Sequence, residues 1–250
     1  MAHDNTVVMV HGLLGSLAYF EPNKRLPDIE IHTPDLWGYG DIALKDALSL
    51  QDQVDFLKQF VEQNLAWPFW LLGHSVGGAI VNLFAAQYPH QVKGIINVEG
   101  NFSLRDAFWS QSIAKQPFDQ WQLEYDVLAG DPEQWLVSAD ITPTSERIEW
   151  AASILSYQQA ATLQAVARAV VKETDGQAYT DTVNHVFGSQ IPVYLVAGEY
   201  SEKQWHVPDI ATTLAAQRYA VKEAGHMMML EQPDAFCQLI EAIICGKISE

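Results

Sequence analysis

The chain has 250 residues, of which 48% are hydrophobic and 18% are charged, a composition typical of one folded domain with a sizeable core. Its 14 basic and 31 acidic residues give a formal net charge of -17, which repels phosphate backbones and anionic lipid surfaces. We therefore expect a small molecule as the partner, and neither nucleic acid nor a membrane. Monomer and homodimer are both compatible with the composition.

The start of the chain and its two cysteines bear on location and cofactors. No basic or apolar segment of the secretory type precedes the first predicted strand, and no run reaches the ~18 apolar residues that span a bilayer, so we expect a cytoplasmic protein. Cys237 and Cys245 lie in one apolar segment, where a helix separates them by roughly 12 Å, too far for a disulfide. We expect both to be core residues, and no metal or other cofactor.

Short apolar runs alternate with helical patterns over the first hundred residues. Strands are predicted at residues 6–10, 29–33, 69–72 and 92–98, and helices at residues 50–67 and 77–88. Ser49 is a good N-cap for the first of these helices, and Pro68 ends it.

The same alternation returns near the end of the chain, with strands predicted at 193–197 and 218–221, a helix at 208–217 and a final helix after Pro233. It predicts an α/β fold with a mostly parallel, doubly wound sheet. Residues 101–188 have no strand pattern, and residues 154–171 form a strong amphipathic run. We therefore predict a core of residues 1–100 and 189–250, with residues 101–188 inserted as an α-helical cap.

A G-x-S-x-G motif, formed by Gly73, Ser75 and Gly77, lies between a predicted strand and a predicted helix. A strand that turns straight into a helix holds its turn residue at strained backbone angles, and glycines two residues away allow the close backbone approach. The serine oxygen is then exposed at the carboxyl end of the sheet, where open α/β sheets bind ligands. This pattern favours Ser75 as a nucleophile over an ordinary glycine-rich turn with an incidental serine.

Three other segments resemble motifs of the α/β-hydrolase superfamily, in the family's order: V-H-G-L-L-G-S at residues 10–16, P-D-L-W-G-Y-G at residues 34–40 and A-G-H-M at residues 224–227. With the serine motif, the resemblance covers nearly the whole chain. It implies that Ser75 is the nucleophile and His226 its general base. It also implies that the backbone N–H groups of Leu13 and Val76 form the oxyanion hole.

The acid of the catalytic triad is where the chain departs from the family pattern. The commoner pattern places an aspartate, as G-x-x-D, after the penultimate strand, but Ser201 stands at that place. Glu99 follows the strand after the nucleophile helix, and branches resembling haloalkane dehalogenases and certain lipases take their acid from there. We therefore favour Glu99, and Glu199 and Glu202 remain as alternatives.

The same resemblance brings several segments to the pocket. Its expected substrate-binding residues are His74, Trp37, Phe102, Phe108 and Trp109. A serine nucleophile favours acyl substrates, because water can attack the acyl-enzyme carbonyl. The sequence thus predicts a serine hydrolase that cleaves a small to medium apolar carboxylic ester, lactone or thioester. The alternatives are a ligand-binding or signalling protein on a hydrolase scaffold, and a cofactor-free haloperoxidase or perhydrolase.

Overall fold

The computed structural model describes residues 5–66 and 68–247. Within them lies one six-stranded sheet with the order β2-β1-β3-β4-β5-β6, and each neighbouring pair of strands is parallel. The strands are β1 (Thr6–Val10), β2 (Glu30–His32), β3 (Phe69–His74), β4 (Val92–Val98), β5 (Val193–Gly198) and β6 (Gln217–Val221). This sheet, with its surrounding helices, confirms the predicted fold class.

Helices connect the strands and follow the last one. Before β4 they are α1 (Pro22–Arg25), α2 (Leu50–Asn64) and α3 (Val76–Gln87). Between β4 and β5 they are α4 (Phe108–Lys115), α5 (Phe118–Gly130), α6 (Pro132–Ser138), α7 (Ser145–Ser156), α8 (Ala160–Glu173) and α9 (Gln177–Phe187). After β5 they are α10 (Asp209–Leu214), α11 (Met228–Glu231) and α12 (Pro233–Cys245). No helix of the described segments is both long and apolar enough to cross a membrane.

Local chemistry explains the bounds of several elements. All five residues of β1 are buried, as expected for a strand covered by helices on both faces. Ser49 caps α2 as predicted: its hydroxyl accepts the N–H of Asp52, and the Asp52 carboxylate accepts the N–H of Ser49. This helix was predicted to reach Trp67 but ends at Asn64, and Trp67 itself lies outside the described residues.

The amphipathic run at residues 154–171 is two helices and not one. The break between α7 and α8 falls where the Tyr157 carbonyl accepts the N–H of Gly40 and where Gln158 pairs with Tyr39 in an isolated antiparallel bridge. These backbone groups are therefore unavailable for a continuous helix. The helix predicted at 208–217 also ends early, because Gln217 already pairs with Tyr194 of β5.

The sheet has a topological switch point between β1 and β3. The chain leaves β1 towards β2 on one side and later leaves β3 towards β4 on the other, so the carboxyl ends of β1 and β3 lie side by side. Ligands bind at such a crevice in open α/β sheets. Residues 101–188 follow β4 and contain helices and no strand. Their division from the core as a cap stays a prediction.

Candidate active site

The turn between β3 and α3 has the strained geometry that the serine motif predicts. Ser75 adopts φ 54° and ψ −121°, a region that non-glycine residues rarely occupy. A Cβ on Gly77 would lie 2.3 Å from the Val10 carbonyl oxygen, and one on Gly73 would lie 2.6 Å from the Gly77 carbonyl oxygen. Only glycine fits at either position. The turn is therefore packed tightly against the end of β1, and Ser75 lines the cavities above it.

The loop after β1 is held by two side chains. His11 Nδ1 donates to the Gly12 carbonyl oxygen at 2.9 Å, and the Tyr39 hydroxyl donates to the Leu13 carbonyl oxygen at 2.8 Å. Burial lowers the pKa of His11, so its ring stays neutral. Because a trans peptide directs its N–H opposite to its C=O, the Leu13 N–H points away from His11.

A second backbone donor lies at the start of α3. Val76 is the first residue of this helix, so its N–H has no acceptor within the helix. Leu13 lines both cavities beside Ser75. The two residues chosen from the sequence thus lie beside the serine, Leu13 on the loop after β1 and Val76 at the positive end of α3.

Glu99 and His226 form a hydrogen-bonded pair at the site. Glu99 lies at the end of β4 with only 5% of its surface exposed, and its Oε2 is 2.7 Å from His226 Nδ1. Its Oε1 accepts the Gly198 N–H at 2.8 Å and the Ser201 hydroxyl at 2.5 Å. Burial alone would raise the pKa of Glu99, but the hydrogen bonds from His226, Ser201 and Gly198 outweigh it and lower the pKa. An ionised Glu99 therefore orients the imidazole through Nδ1 and leaves Nε2 as the free nitrogen.

The other two candidate acids lie elsewhere. Glu199 is exposed, and its Oε2 accepts the N–H of Glu223 at 2.9 Å. Glu202 is partly buried in the loop after β5, where its carbonyl oxygen accepts from Arg218 at 3.4 Å. Of the three carboxylates that the sequence left open, the structure brings Glu99 to the imidazole of His226.

Neighbouring groups hold the backbone around His226. His74 Nε2 donates to the His226 carbonyl oxygen at 3.0 Å, and the two ring centroids are 4.7 Å apart. Burial and then the adjacent His226 lower the pKa of His74 to about 3, so His74 stays neutral. On the other side, Glu231 Oε1 accepts the N–H of Gly225 at 2.8 Å. These contacts position His226, whose side chain is 45% exposed.

Among the residues that the structure describes, two cavities adjoin Ser75, and Leu13, Trp109 and His226 line both. The smaller holds about 60 Å³, and its further walls are His74 and the mostly apolar set Gly12, Leu14, Leu17, Tyr19, Ile154 and Met227. The larger holds about 170 Å³ and opens past Asn101, Asp106, Ala107, Phe108 and Ser110. A third cavity of about 150 Å³ lies beside Glu99, Ser201 and His226.

The structure places two of the predicted pocket residues outside the linings of the two cavities beside Ser75. Trp37 is held against α2, with its ring centroid 5.2 Å from that of Phe56. Phe102 is 3% exposed and stacks on Trp205 at 5.5 Å, so it belongs to the core. Both segments approach the site, but the ring of Trp37 packs on Phe56 and the ring of Phe102 packs on Trp205. His74, Phe108 and Trp109 do line these cavities, and their binding of substrate stays a prediction.

Sequence reasoning missed the roles of Ser201 and Tyr39. Ser201 stands where the family pattern has an aspartate, and its hydroxyl donates to Glu99. Tyr39 lies in the P-D-L-W-G-Y-G segment, but that motif does not reveal that its hydroxyl reaches the Leu13 carbonyl. The signal available in the sequence was a polar residue, Ser201, at the position where an acidic residue is expected.

A parallel sheet with a strained serine turn at its switch point, facing a histidine and carboxylate pair, defines the α/β-hydrolase class. The chain belongs to the Alpha/beta hydrolase family, whose sequence model matches residues 7–239.

The names of several similar proteins state an activity. A 2-succinyl-6-hydroxy-2,4-cyclohexadiene-1-carboxylate synthase from Enterobacter sp. (strain 638) is 26% identical over 256 aligned positions, covering 98% of this chain and 93% of the relative. A pimeloyl-[acyl-carrier protein] methyl ester esterase from Yersinia enterocolitica is 29% identical over 147 positions, covering 58% of this chain and 50% of the relative. A thermophilic esterase structure from Thermogutta terrifontis superposes with a TM-score of 0.74 at 18% identity, covering 98% of this chain and 91% of that one. This last likeness shows the fold alone.

Proposed function

We propose that the protein is a serine hydrolase that cleaves a small to medium apolar carboxylic ester, or a related lactone or thioester, through an acyl-enzyme. One observation carries the proposal: Ser75 stands at a strained turn and lines the same two cavities as His226, whose Nδ1 is 2.7 Å from a buried carboxylate. This arrangement suits an activated hydroxyl, because the base is oriented by a third group.

The reaction follows from the roles these groups can take. Ser75 Oγ attacks the acyl carbon while His226 Nε2 takes its proton, and Glu99 stabilises the imidazolium that forms. The N–H groups of Leu13 and Val76 bind the oxygen on which negative charge develops. His226 then returns the proton to the leaving alcohol. Water, activated by the same imidazole, attacks the acyl carbon and releases Ser75.

The cavities support a substrate of limited size. Drug-sized ligands occupy pockets of about 300–1,000 Å³, whereas the two cavities beside Ser75 hold about 60 and 170 Å³. The smaller is lined mainly by apolar side chains such as Leu17 and Ile154, which suits a short acyl chain. The larger, past the exposed Phe108, suits the alcohol portion. The ester substrate in the name of the Yersinia relative supports the same class of reaction.

Covalent labelling tests whether the serine is activated. We expect a fluorophosphonate probe to label the purified protein stoichiometrically and Ser75→Ala to abolish both labelling and hydrolysis of p-nitrophenyl acetate. Ser112→Ala, an exposed serine of α4, is the matched control and keeps both activities. Unchanged ester turnover in Ser75→Ala refutes the proposal, and an unreactive wild-type serine favours the ligand-binding alternative.

A comparison of two carboxylates tests the assignment of the triad acid. Glu99→Gln leaves the imidazole without its charged partner, and we expect kcat to fall by about 10⁴, as on removal of a triad carboxylate. Glu202→Gln, in the loop after β5, keeps kcat within about twofold, the change typical of substitutions away from reacting groups. The reverse result would assign the acid to Glu202.

A second candidate is the reaction of the Enterobacter relative, whose similarity covers 98% of this chain, whereas the named esterase covers 58%. A bacterial strain that lacks that synthase provides the test. The synthase is favoured if the wild-type gene restores growth and intact-mass spectrometry finds no acyl-Ser75 adduct after the protein is mixed with esters. A trapped adduct without growth favours the esterase.

A further inference from the structure

Ser201 lies where the strand β5 loop passes the carboxylate of Glu99. Its hydroxyl donates to Glu99 Oε1 at 2.5 Å, and the N–H of Gly198 donates to the same oxygen at 2.8 Å. The opposite oxygen, Oε2, is the one that meets His226 Nδ1. Ser201 therefore holds the far side of the group that orients the imidazole.

Glu99 needs this support for a geometric reason. A glutamate has one more rotatable bond than an aspartate, so fixing its carboxylate costs more side-chain freedom. Two donors on Oε1 set the plane of the carboxylate and direct Oε2 towards His226. A hydrogen bond to a charged group is stronger than one between neutral groups, and leaving the charge short of a donor in a buried site is unfavourable.

We propose that Ser201 is a positioning residue for the triad acid, which holds the Glu99 carboxylate with Oε2 directed towards His226. The inference rests on the proposed function and names how its acid is held. Ser201 acts through Glu99 and touches no reacting atom.

The proposal is tested by removing the hydroxyl. We expect Ser201→Ala to lower kcat for p-nitrophenyl acetate about tenfold with KM unchanged, the loss expected for one hydrogen bond to a charged group. Because the Ser201 bond lowers the pKa of Glu99, its removal raises that pKa and moves the acid limb of the kcat profile to higher pH. Ser201→Thr, which keeps a hydroxyl, restores both.

A matched control separates positioning from a loss of folding. Ser189 also makes two local hydrogen bonds, to Val186 and Ile191, but precedes β5 and lies at its opposite end. Ser189→Ala keeps the pH profile of the wild type. If Ser201→Ala matches Ser189→Ala in kcat and in the acid limb, the positioning role is overturned.

Glu99→Gln distinguishes a failure of this inference from a failure of the proposed function. Full activity of Glu99→Gln overturns the proposed triad. A large loss in Glu99→Gln with no effect of Ser201→Ala overturns the positioning role alone.

Discussion

Gly77 gives the sharpest test of how the serine turn is seated against the loop after β1. A Cβ at this position would lie 2.3 Å from the Val10 carbonyl oxygen and 2.6 Å from the His11 carbonyl oxygen, where ordinary contact starts at 3.4 Å. Gly77→Ala therefore forces the start of α3 and the end of β1 apart by about 1 Å. These are the two segments that carry Val76 and Leu13.

The consequence for activity and stability follows from that displacement. A misplacement of about 1 Å costs about 100-fold in rate, so kcat for p-nitrophenyl acetate falls by that factor. Overpacking of this kind costs about 1–3 kcal/mol of unfolding free energy, and Tm falls by about 2–4 °C for each kcal/mol in a chain of this size. Calorimetry and steady-state kinetics measure the two effects on the same preparation.

Gly130→Ala is the matched control for this substitution. Gly130 ends α5 with no neighbouring atom within 4 Å of an added Cβ, so alanine fits. In a helix alanine is favoured over glycine by about 0.5–1 kcal/mol, and kcat stays at the wild-type value. If Gly77→Ala has the kcat and Tm of the wild type, the close approach between the turn and the loop is not a constraint on the site, and the argument fails.

Three further expectations concern the loop, the buried carboxylate and the cysteines. Tyr39→Phe removes the hydroxyl that donates to the Leu13 carbonyl oxygen. We expect steady-state kinetics to show a kcat about tenfold lower with little change in KM. A wild-type kcat would contradict the role of Tyr39 in holding this loop. Because the pKa of Glu99 is lowered from 4.5, its ionised form stabilises the fold above pH 4.5, and this stabilisation is lost as the pH falls through the lowered pKa. The urea midpoints of the wild type and of Glu99→Gln should therefore converge on acidification. A difference between the two midpoints that stays constant with pH would contradict this expectation. Burial raises the pKa of Cys237 to about 12, so we expect iodoacetamide to modify the partly exposed Cys245 first. Peptide mass spectrometry measures the two rates, and equally fast modification of Cys237 would contradict the expectation.

The strand and helix pattern was readable from the sequence because its causes are local. β1 and β4 are short apolar runs, and α2 carries its own cap at Ser49. The helix prediction was wrong where backbone groups that are distant in the sequence compete for the same hydrogen bonds. Residues 154–171 have helical periodicity throughout, but Tyr157 and Gln158 pair with residues more than a hundred positions earlier.

The pocket shows the same division. Phe108 and Trp109 line the cavities, but Trp37 and Phe102 do not, although all four are aromatic residues in segments near the site. Aromatic rings pack wherever an apolar partner is available. Whether that partner is Phe56, Trp205 or the substrate depends on the relative placement of helices, which composition and periodicity leave undetermined.

By itself the sequence determined the serine turn, because Gly73, Ser75 and Gly77 stand within five residues between a predicted strand and a predicted helix. The close approach of Gly77 to the Val10 carbonyl came from the tertiary structure. It also determined the parallel α/β class, because alternating strands and helices leave few other arrangements. Only the tertiary structure brought one of the three candidate carboxylates, Glu99, to His226. Glu99 and His226 are 127 residues apart in the chain, and their 2.7 Å contact exists because two loops meet at the carboxyl edge of the sheet. A hydrogen bond depends on a distance of a few tenths of an ångström, and that distance is set only when the strands pair.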